Sequence, residues 1–275
     1  MLSKRTKDVM LSFGVGATVA GTAVFLVVPV ITTITMAFDA RDYLGPFPPP
    51  ALSTQWLNQF FNNGYLWSGF STSLVLATTT TIIATAVGAA AAVAISRISS
   101  RLRDLLTTAF LSPLVLPGVI IGFALLMLFS LLGVLSPFTK LIAGHLIVTV
   151  PYTLRMALIG LSGVSPVLRE AALSLGANER QALFTVILPL AKNSIAAGAI
   201  FAFAFSMDDL TVSLFLSDFK TYTLPVALVS LMRSDFDLTL AAAAVFLMGL
   251  TVVLLVVLDR VLGLERVIGH GIYKA

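Results

Sequence analysis

The chain has 275 residues, 58% of them hydrophobic and only 11% charged, with a mean hydropathy of +1.00. A soluble domain carries about 25% charged residues, so a water-soluble globule with a single core is excluded. The absence of cysteine removes disulfides, thiolate metal sites and a cysteine nucleophile, and the net charge of +4 comes without a long basic tract interleaved with aromatics, so nucleic acid is not an expected partner.

At the start, Lys4-Arg5-Thr6-Lys7 precedes an apolar run from about Val9 to Phe38. That run is too long for the apolar part of a signal peptide and reads as an uncleaved first span. Further charge-poor stretches are long enough to cross a hydrocarbon layer of about 30 Å. They predict six spans, at about 10–38, 67–95, 105–132, 139–163, 192–217 and 239–262. Each must be a helix, because an isolated strand leaves its backbone groups unsatisfied in lipid. The expected fold class is an all-α integral membrane protein forming one transmembrane domain over 1–275.

Orientation follows from Lys and Arg in the short loops. With the N-terminus inside, the cytoplasmic side holds Lys4, Arg5, Lys7, Arg97, Arg101, Arg103, Arg169, Arg180, Lys192, Arg260, Arg266 and Lys274. The other side holds only Arg41, Lys140, Lys220 and Arg233. Both termini are therefore expected to be cytoplasmic.

The loop 39–66 then faces outward, with Gly45-Pro46-Phe47-Pro48-Pro49-Pro50 followed by Trp56, Phe60, Phe61, Tyr65 and, at the start of the next span, Trp67. These aromatics suit either a membrane-interface belt or a docking surface for an external partner. In the third span, Pro113 and Pro117 predict a kink, and Gly118 and Gly122 allow close helix approach. The same residues serve equally as packing devices or as a gate. The outward segment 218–238 contains Leu224-Pro225-Val226-Ala227-Leu228-Val229, too short to span, which suggests a short interfacial helix.

Between spans four and five, residues 164–190 read as a capped helical hairpin. Ser165-Pro166 is a helix start, Ser able to cap and Pro tolerated at the first position. Glu170, Ala171 and Ala172 follow, and Gly176 suits a left-handed helix end. Asn178 with Gln181 predicts a capping box for a second helix. Leu188-Pro189 is expected to end that helix just before span five. A helix lying on the bilayer would want basic residues opposite a bulky apolar face. The Ala, Ser and Glu of the first helix instead suit insertion into a protein groove.

Asp208 and Asp209 lie inside the fifth span, where acids are costly and face a cavity or a partner. Neighbouring helical residues point about 100° apart, so one is expected at a pathway and the other against a neighbouring helix. Arg155 is a poor counter-ion, lying roughly 12 Å from the cytoplasmic end of its span against roughly 24 Å for Asp208. The acids therefore suit either cation recognition or a structural or inter-subunit role. His145, the lone histidine of span four, reads as a hydrogen-bonded packing residue.

The pattern Glu-Ala-Ala, three residues, Gly, nine residues, Ile-x-Leu-Pro resembles the signature loop of permease subunits of bacterial ATP-binding-cassette importers. This chain matches at Glu170, Ala171, Ala172, Gly176, Leu188 and Pro189, and departs only at Val186 in place of Ile. With the six-span layout, the resemblance covers nearly the whole chain. It implies the type I importer permease fold, in which the first short helix couples to an ATPase and transport runs by alternating access in the bacterial inner membrane. It also implies the partners: two ABC ATPase subunits carrying ATP and Mg, a second permease subunit (similar or identical), an extracytoplasmic solute-binding protein, and membrane lipid. The chain itself has no Gly-x-x-x-x-Gly-Lys-Ser/Thr phosphate loop, so it is expected to be a non-catalytic subunit without a cofactor of its own.

The run Ser206 to Phe215, together with Leu111–Pro117, resembles the spermidine/putrescine branch of these permeases, and the shape Phe-Ser-x-Asp-Asp ending at Asp209 is similar to that branch's own. That implies a polyamine or another cationic amine, with Asp208 or Asp209 lining the pathway. Branches carrying ferric iron, thiamine, opines or aminophosphonates share parts of the pattern. Two other classes remain: a proton-coupled secondary transporter, in which the acids relay protons, and a non-transporting scaffold or insertion factor.

Overall fold

A computed structural model of the protein describes residues 4–133, 136–234 and 236–262. Arg266 and Lys274 of the charge asymmetry, and the tail of the expected domain, lie outside them. The described residues are mostly helical, joined by loops and turns, with one isolated bridge, Asp39 to Leu52, and no strand.

Among the described residues, four helices are long and apolar enough to cross a membrane: Met10–Ala37 within α1 (Lys4–Ala37), α3 (Gly64–Ser96), α6 (Pro137–Ser162) and a continuous rod Glu179–Asp208. A fifth crossing results if α4 (Ser100–Leu111), the tight turn Ser112–Val115 and α5 (Gly118–Leu132) count as one span bent by 99°. The expected third span is thus not one kinked helix but two helices at nearly a right angle. Pro113 and Pro117 cannot donate to the helix ladder, and the chain leaves helical geometry between them, with Leu116 extended. The expected sixth span coincides with α12 (Thr239–Leu262), whose apolar part is Thr239–Leu254.

The contacts group the chain into two units, Met1–Asn63 with Leu231–Leu250, and Gly64–Ser230 with Thr251–Ala275. In the first, α1 leads into a loop closed by a clasp. Asp39 accepts two bonds from Arg41 Nε at 3.0 Å and another from its backbone N–H. Gln55 Nε2 donates to the carbonyls of Asp39 and Arg41, while Ala40 and Ala51, and Phe38 and Ser53, are joined through the backbone. Next, α2 (Gln55–Asn62) places Trp56 and Phe60 four residues apart on one buried face, with the Phe60 ring 5.1 Å from that of Phe246. These two aromatics are core residues, not members of an interface belt.

In the second unit, α3, α6 and α9 (Leu188–Asp208) pack on one another. Close approach needs a residue without Cβ where they cross. A Cβ at Gly88 would lie 2.2 Å from Thr153 Oγ1, and that hydroxyl instead donates to the Ala84 carbonyl at 2.7 Å. The short helix α10 (Thr211–Leu216) wedges against α5 and α6, burying Val212 and Leu216 among Leu76, Ile121, Leu125, Phe129, Leu141 and Val148. The outward apolar segment becomes α11 (Leu224–Ser234). It is tucked onto α3, where Leu224 donates its N–H to Ser73 Oγ and comes within 3.2 Å of a Cβ position at Gly69.

Candidate functional site

Two features of the second unit carry chemistry. The first is the hairpin. Helix α7 (Pro166–Ser174) starts after Ser165, whose backbone is extended as a cap should be but whose side chain makes no capping bond. Its end is a complete left-handed closure: Gly176 has φ +92°, Ala177 N–H donates to Ala172 and Gly176 N–H to Leu173. Asn178 and Gln181 form the capping box, with reciprocal bonds of 2.8 and 2.9 Å opening α8 (Glu179–Ala182). Arg169 bridges to Glu179 and ties the two helices together.

No residue of α7 is buried, and Glu170 and Ala171 are exposed. The side chains Val167 and Leu175 are also exposed, so the hairpin offers a mixed surface with a charged residue beside small ones. Leu188-Pro189 does not end the second helix as expected. A π turn, Leu183–Ile187, widens the helix ahead of Pro189, which then sits in the first turn of α9. The extra residue in the turn accommodates a proline that has no N–H to give, and the rod continues.

The second feature is a cavity of about 220 Å³ where two helix breaks meet. On one side stand Pro113, Leu114, Leu116 and Gly118 from the bend in the third span; on the other, Asp209, Thr211 and Val212. Tyr152 of α6 and Phe205 of α9 complete the wall, their rings 5.3 Å apart. The fifth span breaks here because Asp209 adopts an extended backbone. Its carboxylate then stands in for the missing helical acceptors, taking the amides of Val212 at 3.1 Å and Ser213 at 3.0 Å and the Thr211 hydroxyl at 3.2 Å. In hydrocarbon each such group left unpaired would cost several kcal/mol.

Asp209 is buried, while Asp208 is exposed. Among the described residues neither makes an ion pair with Arg155, and the partner of Asp209 from a neighbouring helix is His145, 3.7 Å away. His145 is hydrogen-bonded on both ring nitrogens, to Ser206 and Ser213. Pro113 and Asp209, far apart in sequence, thus border one cavity, and Pro117 caps the helix that begins at Gly118. Tyr152 was not singled out from sequence, and Thr211 and the two serines only as members of the run Ser206 to Phe215. Ser206 and Ser213 flank the Asp pair, but nothing in one sequence shows which helix faces them. The cavity wall thus combines one carboxylate and the Thr211 hydroxyl with aromatic and aliphatic side chains.

The family described as "Binding-protein-dependent transport system inner membrane component" matches residues 83–264, and the chain belongs to it. It is 28% identical over 247 residues to the spermidine/putrescine transport system permease protein PotC of Shigella flexneri, covering 90% of this chain and 92% of that one. It is also 29% identical over 220 residues to the molybdate/tungstate transport system permease protein WtpB of Pyrococcus abyssi, covering 79% and 87%. In fold it is similar to a chain of a bacterial alginate ABC transporter solved in complex with alginate pentasaccharide-bound periplasmic protein, with a TM-score of 0.71 over 96% of both chains at 16% identity.

Proposed function

We propose that this multi-pass permease subunit serves an ATP-driven importer that carries a small cationic amine, of the polyamine class, inward by alternating access. The observation that carries the substrate reading is Asp209, a buried carboxylate bordering an aromatic-walled cavity at the junction of two broken helices. The likeness to PotC agrees with it. The likeness to WtpB names the opposite charge, and a carboxylate at the cavity is unsuited to an oxyanion.

In this reading the chain crosses six times with both termini cytoplasmic. Glu170, Ala171, Ala172 and Gly176 on the hairpin, with Leu188 and Pro189 at its return, form the contact with an ATPase subunit. Two ATPases, a second permease subunit and an extracytoplasmic binding protein complete the assembly. A rigid capped lever transmits rigid-body motion, and the Gly176 closure and the Asn178–Gln181 capping box at its elbow are both formed. Importers of the same class for other solutes are the alternative. A proton-coupled carrier has no use for the hairpin.

The test is ATPase activity of the complex purified through this chain, with the matching binding protein, across polyamines, other amines and anions. Stimulation by a cationic amine supports the reading. Stimulation by an anion or neutral solute alone keeps the importer and discards the amine. Absence of a co-purifying ATPase overturns the whole.

A further inference from the structure

The break in the fifth span is held from outside it. His145, fully buried on α6, places Nδ1 2.7 Å from Ser206 Oγ in the last turn of α9. Its Nε2 lies 3.0 Å from Ser213 Oγ in the first turn of α10. One serine precedes the break and the other follows it, and both are buried. A neutral imidazole has one donor and one acceptor, and a hydroxyl serves as either, so both bonds form in either tautomer. Asp209 Oδ2 accepts the amide of Ser213, the same residue whose hydroxyl meets His145. The imidazole, the serine and the carboxylate are therefore fixed as one group.

We propose that His145 is a positioning residue: it clamps the two half-helices on either side of the break and so holds the Asp209 carboxylate at the rim of the cavity in one orientation. The inference rests on Asp209 being the cation-attracting group of the pathway. An apolar side chain at 145 would fill the space, and the freed serine hydroxyls could turn back to carbonyls of their own helices, as Thr149 does to His145 O at 2.7 Å. Folding would then survive, while the angle between the half-helices would no longer be set. Satisfied polar networks of this kind specify one geometry more than they add stability.

The experiment measures amine uptake by the assembled transporter with His145→Leu and His145→Gln. The leucine variant raises KM at least tenfold with maximal velocity within about twofold, and glutamine, which carries a donor and an acceptor on one amide group, recovers most of it. Because the chain has no cysteine, Thr211→Cys gives it a single thiol at the cavity. Labelling there by a water-soluble maleimide speeds at least fivefold beside His145→Leu, while labelling of a Leu52→Cys control in the outer loop does not change. Unchanged KM and unchanged labelling overturn the clamp. If His145→Leu fails to assemble, Ser213→Ala removes one arm, and unchanged labelling in that variant overturns the clamp equally. If Asp209→Asn leaves amine uptake intact, the pathway role of the acid falls, and the labelling comparison still decides the clamp.

Discussion

Gly118 and Thr211 stand face to face across the cavity: a Cβ built at 118 would lie 2.4 Å from Thr211 Oγ1. The two broken spans therefore touch at their breaks, through a residue that can have no side chain. Thr211 cannot simply rotate away, since its hydroxyl donates to Asp209. Gly118→Val is expected to force the breaks apart, at an overpacking cost of about 1–3 kcal/mol. Uptake should fall more than tenfold while the complex still assembles. Uptake within twofold of wild type would show that the contact has no bearing on the pathway.

The two aspartates should separate on substitution. Asn at 209 keeps an acceptor for the amides of α10 but loses the charge, so Asp209→Asn should insert normally and lose at least tenfold in apparent affinity for a cationic amine, about 1.4 kcal/mol. Asp208 is exposed and supports no such network. Asp208→Asn is expected to change affinity by less than threefold, as read from uptake kinetics in vesicles.

Gly176 tests the hairpin without any steric ambiguity, because no atom lies within 4 Å of a Cβ built there. The cost of a substitution is purely conformational, roughly 1–2 kcal/mol for a residue held in the left-handed region. Gly176→Val should abolish solute-stimulated ATPase activity while leaving membrane insertion intact, and Gly176→Asn, which tolerates that region, should retain most of it. Equal activity in the two variants would remove the left-handed closure from the mechanism.

The outer loop has a pH dependence of known sign. Its bond to Arg41 holds the Asp39 carboxyl below the usual carboxylate range, outweighing the opposing effect of burial. Since the folded value lies below the unfolded one of about 4, the clasp contributes its full stability above that pH. It loses this contribution as pH falls through the depressed folded value. Hydrogen exchange at the amides of Ala40 and Ser53, corrected for the intrinsic chemical rate, should accelerate in acid. Asp39→Asn should exchange fast at neutral pH and show no further acid step.

Much of this was legible in the sequence. Gly176, Asn178 and Gln181 act within a few residues of themselves, so their closure and capping box follow from local chemistry alone. The membrane class followed from apolar length. Continuity was the less legible property. Pro189 reads as a stop, yet a π turn carries the helix past it; Asp209 reads as a residue within a helix, yet it ends one. In both places the outcome depends on whether another group can satisfy the freed backbone. For Asp209 that group is its own carboxylate, braced by His145 from 64 positions upstream. The fates of Phe60 and Leu224 likewise turned on neighbours, Phe246 and Ser73, that one sequence cannot bring together.

The π turn has a mechanical meaning. By keeping Glu179–Asp208 in one piece of 30 residues, it makes a strut of roughly 45 Å at 1.5 Å per residue. The hairpin sits at one tip and the acid-bearing break at the other. A strut does not absorb torque along its length; it delivers it to whichever end is free to yield. Twisting α7 and α8 by a few degrees would thus be felt chiefly at residues 209 and 210, the first place where the ladder of hydrogen bonds lets go.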